Sequence, residues 1–596
     1  MSNLMFRRYN MKKIIITTIG ILFICVSMNA QVIDTARFRL DYNPQLFNFS
    51  KINQEAVITD TISSKVNFDY YITPQQPDLT FAPSPLEPAK LSADPMKRLY
   101  RDYLKVGFGY PATPLLELAV HNPDNRKFSY GLNVHHFSSW AKQIGKKMEK
   151  YAYAPTSDTK AHLFFNTFFR NQTLYSSATY NHKLAMLYGF NKDSLSYIPD
   201  IERYYQKEYR DTLNNSYHHL SAELGLRSNY VLEDKKFKQD VRLHYDMLST
   251  FQKDMEHQIG VKSYYAYDAR FMKISGSQNY KMDFNFDFFR NSFNRFDTLK
   301  NQDYSVLVEF KPTMNFSIKE YHLLLGVGVP IAYNLHYSKT LCKVYPVAEL
   351  QLGLIKGILS IYAGIDGKTQ FNSLQNLLAE NPFVKPQLDS LRFTTSQFNV
   401  YGGVKGNLVK KLNYHIAARY AYEDNRHFFI LDTNSLLRNQ FDVIYQTTHV
   451  LNVSFNMNWQ VLSQLYLNLD ANYWNYFFDR TDQIAWYSPK WSVAFNGRYV
   501  VKNKMIFDLN FDLQFGRKAL VPHSTGGYSI QTMKPILNFG AGFEYMISKR
   551  FSAFATINNI AFQNYSKYYD FRAYGMNAVI GITYSFGDES LGNSRR

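Results

Sequence analysis

A regular alternation of apolar and polar residues runs along most of the chain, from about Tyr103 onward. In residues 505–515, the apolar side chains take every second position and oppose Asp508, Asn510 and Asp512. The same period of two recurs in residues 280–288, 451–459 and 465–473. Because successive side chains of a strand point to opposite faces of the sheet, these segments are predicted to be strands with one apolar and one polar face.

The connections between the predicted strands also alternate, short with long. Short turns include Lys319-Glu320 and Lys502-Asn503-Lys504. The long connections are predicted near residues 140–158, 188–214, 291–302, 370–396, 425–439, 479–487, 517–531 and 561–571. This alternation, with carboxylates and amides on one face only, fits a barrel with lipid outside and water inside. We therefore predict an all-β fold, a transmembrane antiparallel β-barrel of about 22 strands (roughly 20–22) across residues 99–586.

The last predicted strand ends on an aromatic residue. Its apolar face is expected to close the barrel and consists of Ala578, Ile580, Ile582, Tyr584 and Phe586. The loop before this strand is long, so the C-terminus is predicted to lie on the periplasmic side, where short turns belong. The N-terminal segment is expected on the same side.

Two short motifs indicate a family. The chain ends its last strand on Tyr584-Ser585-Phe586, and the stretch from Ile557 to Tyr565 precedes the final loop. These features, with the strand number, resemble the barrel of TonB-dependent receptors of the Gram-negative outer membrane, without a recognisable plug domain. The resemblance implies a transport barrel, which is inserted by the barrel insertion machinery. The alternative is a non-transporting accessory or scaffold barrel of a multi-protein outer-membrane complex.

The N-terminal region differs from the alternating part of the chain. Residues 1–30 have the charged region, apolar core and small-residue site of a signal peptide. Residues 31–98 are rich in proline, which excludes long helices, and they are predicted to be a periplasmic or lumen-filling segment. Residues 587–596 form a polar C-terminal tail.

Composition and charge change this interpretation little. Tyrosine and phenylalanine number 47 each, while the formal net charge is +18. The basic residues are scattered over turns and loops instead of forming one patch, so nucleic acid is not predicted as a partner. One of the two cysteines, Cys25, lies in the predicted signal peptide, so no intramolecular disulfide is possible in the processed chain. The expected partners are outer-membrane lipids, the insertion machinery, and a lipoprotein or another outer-membrane subunit.

No catalytic motif is present, so no catalytic residue, metal site or cofactor is predicted and the protein is not expected to be an enzyme. Acidic residues on the polar strand faces are predicted to line the lumen: Asp283, Asp287, Asp470, Asp508 and Asp512. Two roles are open for them, binding of a polar solute or cation, or a hydrogen-bonded ladder that holds the N-terminal segment. The ladder is the favoured interpretation.

Two further predictions concern the ends of the barrel. Tryptophans near strand ends are expected to form interfacial girdles: Trp140, Trp459, Trp474 and Trp486. Residues 372–381 have the leucine spacing of a short helix, which is expected to pack over the barrel mouth. Its alternative role is a docking surface for a partner.

Overall fold

The structure is a computed structural model. It describes residues 102–587 apart from short gaps at residues 123–126, 141–153, 191–194, 196–197, 201–202, 205–210, 230–235, 274–275, 296–298, 337, 389–390, 410, 524–526 and 574. The predicted signal peptide, the proline-rich segment and the polar tail beyond Gly587 lie outside the described residues.

The described chain consists mostly of strands, and 23 of them belong to one antiparallel sheet. In chain order the strands are β1 Asp102–Tyr110, β2 Thr113–Asn122, β3 Phe128–Ser139, β4 Thr156–Phe168, β5 Gln172–Leu184, β6 Tyr217–Ser228, β7 Phe237–Thr250, β8 Met255–Asp268, β9 Ser277–Arg295, β10 Leu299–Ile318, β11 Tyr321–Asn334, β12 Lys339–Cys342, β13 Tyr345–Ile355, β14 Leu359–Phe371, β15 Phe393–Val409, β16 Leu412–Leu431, β17 Phe441–Leu462, β18 Leu465–Phe477, β19 Trp491–Val501, β20 Met505–Phe515, β21 Lys518–Pro522, β22 Tyr528–Thr532, β23 Ile536–Met546, β24 Phe551–Asn558, β25 Ser566–Tyr568, β26 Phe571–Arg572 and β27 Asn577–Phe586. The helical elements are a 3₁₀ turn at Asp211–Leu213 and an α-helix at Leu374–Glu380.

The sheet closes on itself because β1 pairs with both β2 and β27. The closing register runs from Asp102 opposite Phe586 to Tyr110 opposite Ala578. The short β12 and the longer β13 both pair with β11, so together they take one position in the wall. The predicted barrel of 22 strands is therefore confirmed. Strands β21 with β22, and β25 with β26, form two small separate hairpins within long connections.

The two faces of the wall have opposite character, as the period of two predicts. On β27, Ile580 and Ile582 are 67% and 47% exposed on the outer face. On β20, Leu509 is exposed outward, whereas Asp508 and Asn510 lie on the inner face. Within the described residues, no helix is long and apolar enough to cross a membrane.

The predicted connections at residues 291–302 and 425–439 are wrong in part. Strands β9 and β10 continue to Arg295 and begin at Leu299, and β16 continues to Leu431. A strand crosses a bilayer with about 9–11 residues, so strands of 19 to 22 residues extend beyond it at one end. There the outer face no longer needs apolar side chains, and the alternation that marks a strand in the sequence disappears.

The difference between the two faces predicts the effect of one added charge. Leu509→Lys should destabilise the barrel by about 2–4 kcal/mol, because it places a cation on the lipid face near the middle of β20. The matched control is Asn510→Lys, which places the same charge on the inner face beside Asp508 and Asp512 and should have little effect. The measurement is the folded fraction by heat-modifiable gel mobility across a urea series. Equal losses in both variants would contradict the assignment of faces.

Candidate functional site

The long connections gather at one end of the barrel and pack into a common core, which we call the loop cap. It comprises the described residues within 185–216, 372–392, 432–440, 478–490, 516–535 and 559–576, together with the strand ends that carry them. Because consecutive strands are antiparallel, every second connection lies at the same end. The long connections therefore meet although they are far apart in sequence.

The centre of the loop cap is aromatic. Phe441, at the start of β17, is fully buried, and its ring centroid lies 5.4 Å from that of Tyr487 and 5.2 Å from that of Tyr568. The rings of Phe383 and Phe571 stack with centroids 3.8 Å apart. These five rings come from three separate connections and the start of β17, so apolar burial holds the loops to one another as in the core of a soluble domain.

A buried arginine links three backbone segments of the loop cap. The Arg517 side chain is 1% exposed. Its Nη1 donates hydrogen bonds to the carbonyls of Ser566 and Lys567 at 2.9 and 2.7 Å, and its Nη2 donates to the carbonyl of Lys534 at 3.0 Å. Burial lowers the pKa of this guanidinium. Since guanidinium donors are fixed in one plane, Arg517 holds these segments in a defined arrangement.

The short helix Leu374–Glu380 confirms the prediction for residues 372–381. Ser373 caps its N-terminus, where the hydroxyl accepts the backbone N–H of Asn376 at 3.2 Å. Leu374, Leu377 and Leu378 are buried in the loop cap. The helix therefore packs over the barrel mouth, as its leucine spacing predicts.

Acidic side chains attach this helix and its loop to the barrel wall. Glu256, near the start of β8, accepts the backbone N–H groups of Leu374 and Gln375 at 2.7 and 3.2 Å. Asp254, just before β8, accepts the backbone N–H of Gln387 at 2.9 Å. Glu256 and Asp254 thus accept hydrogen bonds from backbone N–H groups of the loop. Residues close to these N–H groups in the sequence do not supply that acceptor.

Other hydrogen bonds join one loop to another. Asn215 donates to the carbonyls of Pro382 and Val384 at 2.7 and 3.1 Å. Tyr188 donates through its hydroxyl to the carbonyl of Arg572 at 2.8 Å, across 384 positions of sequence. Since Asn215 and Tyr188 have their acceptors in two different loops, separation of residues 185–216 from either loop would leave a buried donor unpaired.

The inner wall below the loop cap carries paired polar side chains. Asp287 accepts hydrogen bonds from His244 and Gln258, each at 2.8 Å. Asp508 forms a forked ion pair with Arg498, at 2.7 and 3.3 Å. Two of the acidic residues expected in the lumen therefore bridge neighbouring strands.

The remaining three predicted acidic residues also lie on the barrel strands. Asp470 accepts a hydrogen bond from Asn456 of β17 at 2.5 Å. Asp283 stands opposite Lys311 of β10, and Asp512 opposite Asn538 of β23. The five do not converge on one point but are spread around the wall. Among the described residues, no group of three or more His, Cys, Asp or Glu side chains is placed to hold a metal ion.

The four tryptophans that were expected at the membrane interface have different surroundings. Trp140 follows β3 and is exposed, and Trp459 of β17 is 37% exposed on the apolar face. Trp474 instead shares a strand face with Asp470 and lines a cavity of about 170 Å³ below the loops. Trp486 is buried in the loop cap, so a lipid-facing position is wrong for it. Trp474 lies on the polar face because it is four positions from Asp470 in β18, and Trp486 is buried because its connection packs into the loop cap.

The loop cap as a whole was not predicted from the sequence beyond its one helix. A signal was present, because Phe383, Tyr487, Tyr568 and Phe571 are large apolar residues in connections that would otherwise be polar. Such residues indicate burial. Irregular segments have no periodic pattern, however, so the sequence does not predict which segments pack against each other.

The fold is similar to that of solved outer-membrane receptors. The pyoverdine outer membrane receptor FpvA from Pseudomonas aeruginosa PAO1, bound to pyoverdine, matches with a TM-score of 0.62 and 12% identity over 83% of this chain and 79% of that chain. The ferric enterobactin receptor PfeA from the same species matches with a TM-score of 0.58 and 10% identity over 81% and 80%. No protein-family model and no curated protein matches the sequence. The barrel thus has the fold of these two receptors.

Loss of the central ring of the loop cap should loosen it. Phe441→Ala removes a fully buried aromatic side chain and should destabilise the loop cap by about 3–5 kcal/mol. Hydrogen exchange of the backbone amides in residues 478–490 and 559–576 should become faster, while exchange in the short turns stays unchanged. Leu436→Ala, at an exposed loop position, is the control and should leave both rates unchanged. Unaltered protection in Phe441→Ala would show that the loops do not share one core.

The loop cap should also weaken as the pH rises. Burial raises the pKa of Asp570, between β25 and β26, from 3.8 to about 6, against an opposing effect of Arg572. An acid whose pKa is higher in the folded state favours folding only while it is protonated. Stability should therefore fall as the pH rises from about 4 through about 6. Hydrogen exchange of residues 559–576 across this range measures it, and Asp570→Asn should flatten the dependence. If the stability of Asp570→Asn still fell with pH as in the native protein, the pH dependence would belong to another titratable group.

Proposed function

We propose that this protein is an outer-membrane transport barrel similar to TonB-dependent receptors, with residues 31–98 as a reduced plug. The observation that carries the proposal is the closed wall of 22 strands with a polar inner face, on which Asp287, Asp470 and Asp508 pair with neighbouring strands. A barrel of this size encloses a lumen that needs a filling. The similar folds of receptors for pyoverdine and ferric enterobactin support transport of a polar solute.

In this proposal the protein lies in the cell outer membrane with the short turns and both termini on the periplasmic side. The loop cap then faces the exterior, in agreement with the usual placing of long loops in bacterial barrels. A solute would enter only after the loops had separated, since Phe441, Leu377 and Leu391 are fully buried between them. The loop cap is therefore the outer gate, and its opening is the step that a solute or partner must drive.

The same burial supports a second candidate function, a non-transporting accessory barrel within a multi-protein outer-membrane complex. A mouth closed by a packed core, with Arg517 and Asn215 bonded to carbonyls of other loops, suits a barrel that never opens. Transport is preferred because the solved structures of similar fold are receptors for pyoverdine and ferric enterobactin.

Purification from native membranes in mild detergent, with stoichiometric identification of associated proteins, separates the two. A solitary barrel, or a one-to-one complex with a lipoprotein that covers the loop cap, is the expected result for transport. Stable association with membrane-assembly proteins would contradict it and establish the accessory function.

Conductance provides a direct prediction. We compare deletion of residues 31–98, replacement of residues 373–391 by a short glycine-serine linker, and both changes together, in planar bilayers. The combined variant should form a large open pore, whereas each single variant should stay closed, because the plug and the loop cap each block the lumen. Heat-modifiable mobility of every variant is the control for barrel formation. If the combined variant conducted no ionic current, both the reduced plug and the transport proposal would be contradicted.

A further inference from the structure

Three buried, oxygen-bearing side chains form a row on the inner wall under the loop cap. They are Glu256 of β8, Asn291 of β9 and Asp303 of β10. Glu256 stands directly opposite Asn291, and Asn291 directly opposite Asp303. Their exposed fractions are 3%, 0% and 2%. Directly opposed side chains of adjacent strands are close enough to interact, so the row brings two carboxylates to either side of one amide.

The central amide of this row lacks a protein partner. Neither Oδ1 nor Nδ2 of Asn291 makes a hydrogen bond within the described structure, and Oδ1 of Asp303 makes none either. Nearly all buried side-chain polar atoms in folded proteins are paired, and an unpaired one calls for an explanation such as an ion or a water. The two oxygens among these atoms, Asn291 Oδ1 and Asp303 Oδ1, belong to directly opposed residues and can share one ligand, whereas Nδ2 is a donor and needs an acceptor.

The charge of the row specifies the sign of that ligand. Among the described residues, no lysine or arginine forms an ion pair with Glu256 or Asp303. The charged neighbours of Glu256 are His219 and Asp246, which bond to each other at 3.2 Å, and the neighbour of Asp303 is His336. Two buried carboxylates with histidine but no lysine or arginine beside them are disfavoured as anions unless a cation compensates them.

We propose that Glu256, Asn291 and Asp303 bind a hard divalent cation, with Ca²⁺ preferred. Ca²⁺ accepts six to eight oxygen ligands from carboxylates, amides and backbone carbonyls in variable geometry. A backbone carbonyl is at hand, because Asn334 donates both to Asp303 Oδ2 at 3.2 Å and to the carbonyl of Leu391 at 3.4 Å. The row contains only two acidic groups, so amide and carbonyl oxygens complete the ligand set.

The site connects the wall to the loop cap. Glu256 also accepts the first backbone N–H groups of the helix Leu374–Glu380, and Leu391 lies near the other end of the same loop. A cation in the row therefore stabilises residues 372–392 in the closed position. Removal of the cation frees this part of the outer gate, a regulation that the barrel fold alone does not imply.

Calcium binding to the full chain tests the proposal. The detergent-purified protein is freed of metal with a chelator and titrated with Ca²⁺ in a calorimeter. The expected result is one saturable site, an increase in Tm on binding, and slower hydrogen exchange in residues 372–392. Asp303→Asn and Glu256→Gln should each weaken binding at least about tenfold. Asp508→Asn, which removes an inner-wall carboxylate far along the sheet, is the matched control and should bind as the native protein does.

A gain-of-function variant keeps the test independent of folding defects. Asn291→Asp adds a third carboxylate to the row and should bind Ca²⁺ at least about tenfold more tightly. Absence of saturable binding in the native protein would overturn the proposal and leave a buried water as the partner of Asn291. Native affinity in Asp303→Asn or in Asn291→Asp would overturn it as well, because the cation would then bind elsewhere.

Discussion

The structure depends on one constraint: a backbone that crosses lipid must satisfy every N–H and C=O group within the protein. A sheet of 22 strands meets it only by closing, and the pairing of β1 with β27 supplies the last row of hydrogen bonds. Once the sheet is closed, alternate side chains must face lipid and lumen. The apolar outer face and the paired carboxylates of the inner face are consequences of that closure.

Closure of the sheet does not determine how the strands are connected at the two ends of the barrel. At one end several of the described connections are tight turns, such as Lys319-Glu320 and residues 502–504. At the other end β9, β10, β16 and β17 extend past the membrane, and the long connections fold onto these extensions. The loop cap therefore has two kinds of contact. Aromatic burial around Phe441 holds the loops together, and the acidic groups Asp254 and Glu256 hold one of them to the wall.

This division assigns different physical roles to the wall and the loop cap. The wall is a continuous ladder whose opening would break many backbone hydrogen bonds at once. The loop cap consists of separate segments held by side chains, so it is the part that can change state. The proposed transport, the alternative scaffold function and the proposed cation binding would each act through this part, and they differ in what would supply the free energy to open or close it.

The sequence by itself determined most of the strands, their two faces, the approximate strand number and the closing strand. Each depends on a period of two or on a local motif, as in residues 505–515 and 577–586. Such patterns can be recognised in one segment without knowledge of the strands that pair with it. The positions of Asp287 and Asp508 on one face followed from the same period, but their partners did not.

Only the tertiary structure decided what covers the barrel. Tyr188 meets Arg572, and Phe383 meets Phe571, across long stretches of chain with no repeat. The row of Glu256, Asn291 and Asp303 likewise exists only because three strands lie in one particular register. Contacts between irregular segments depend on shape and register in space, and these have no periodic counterpart along the chain.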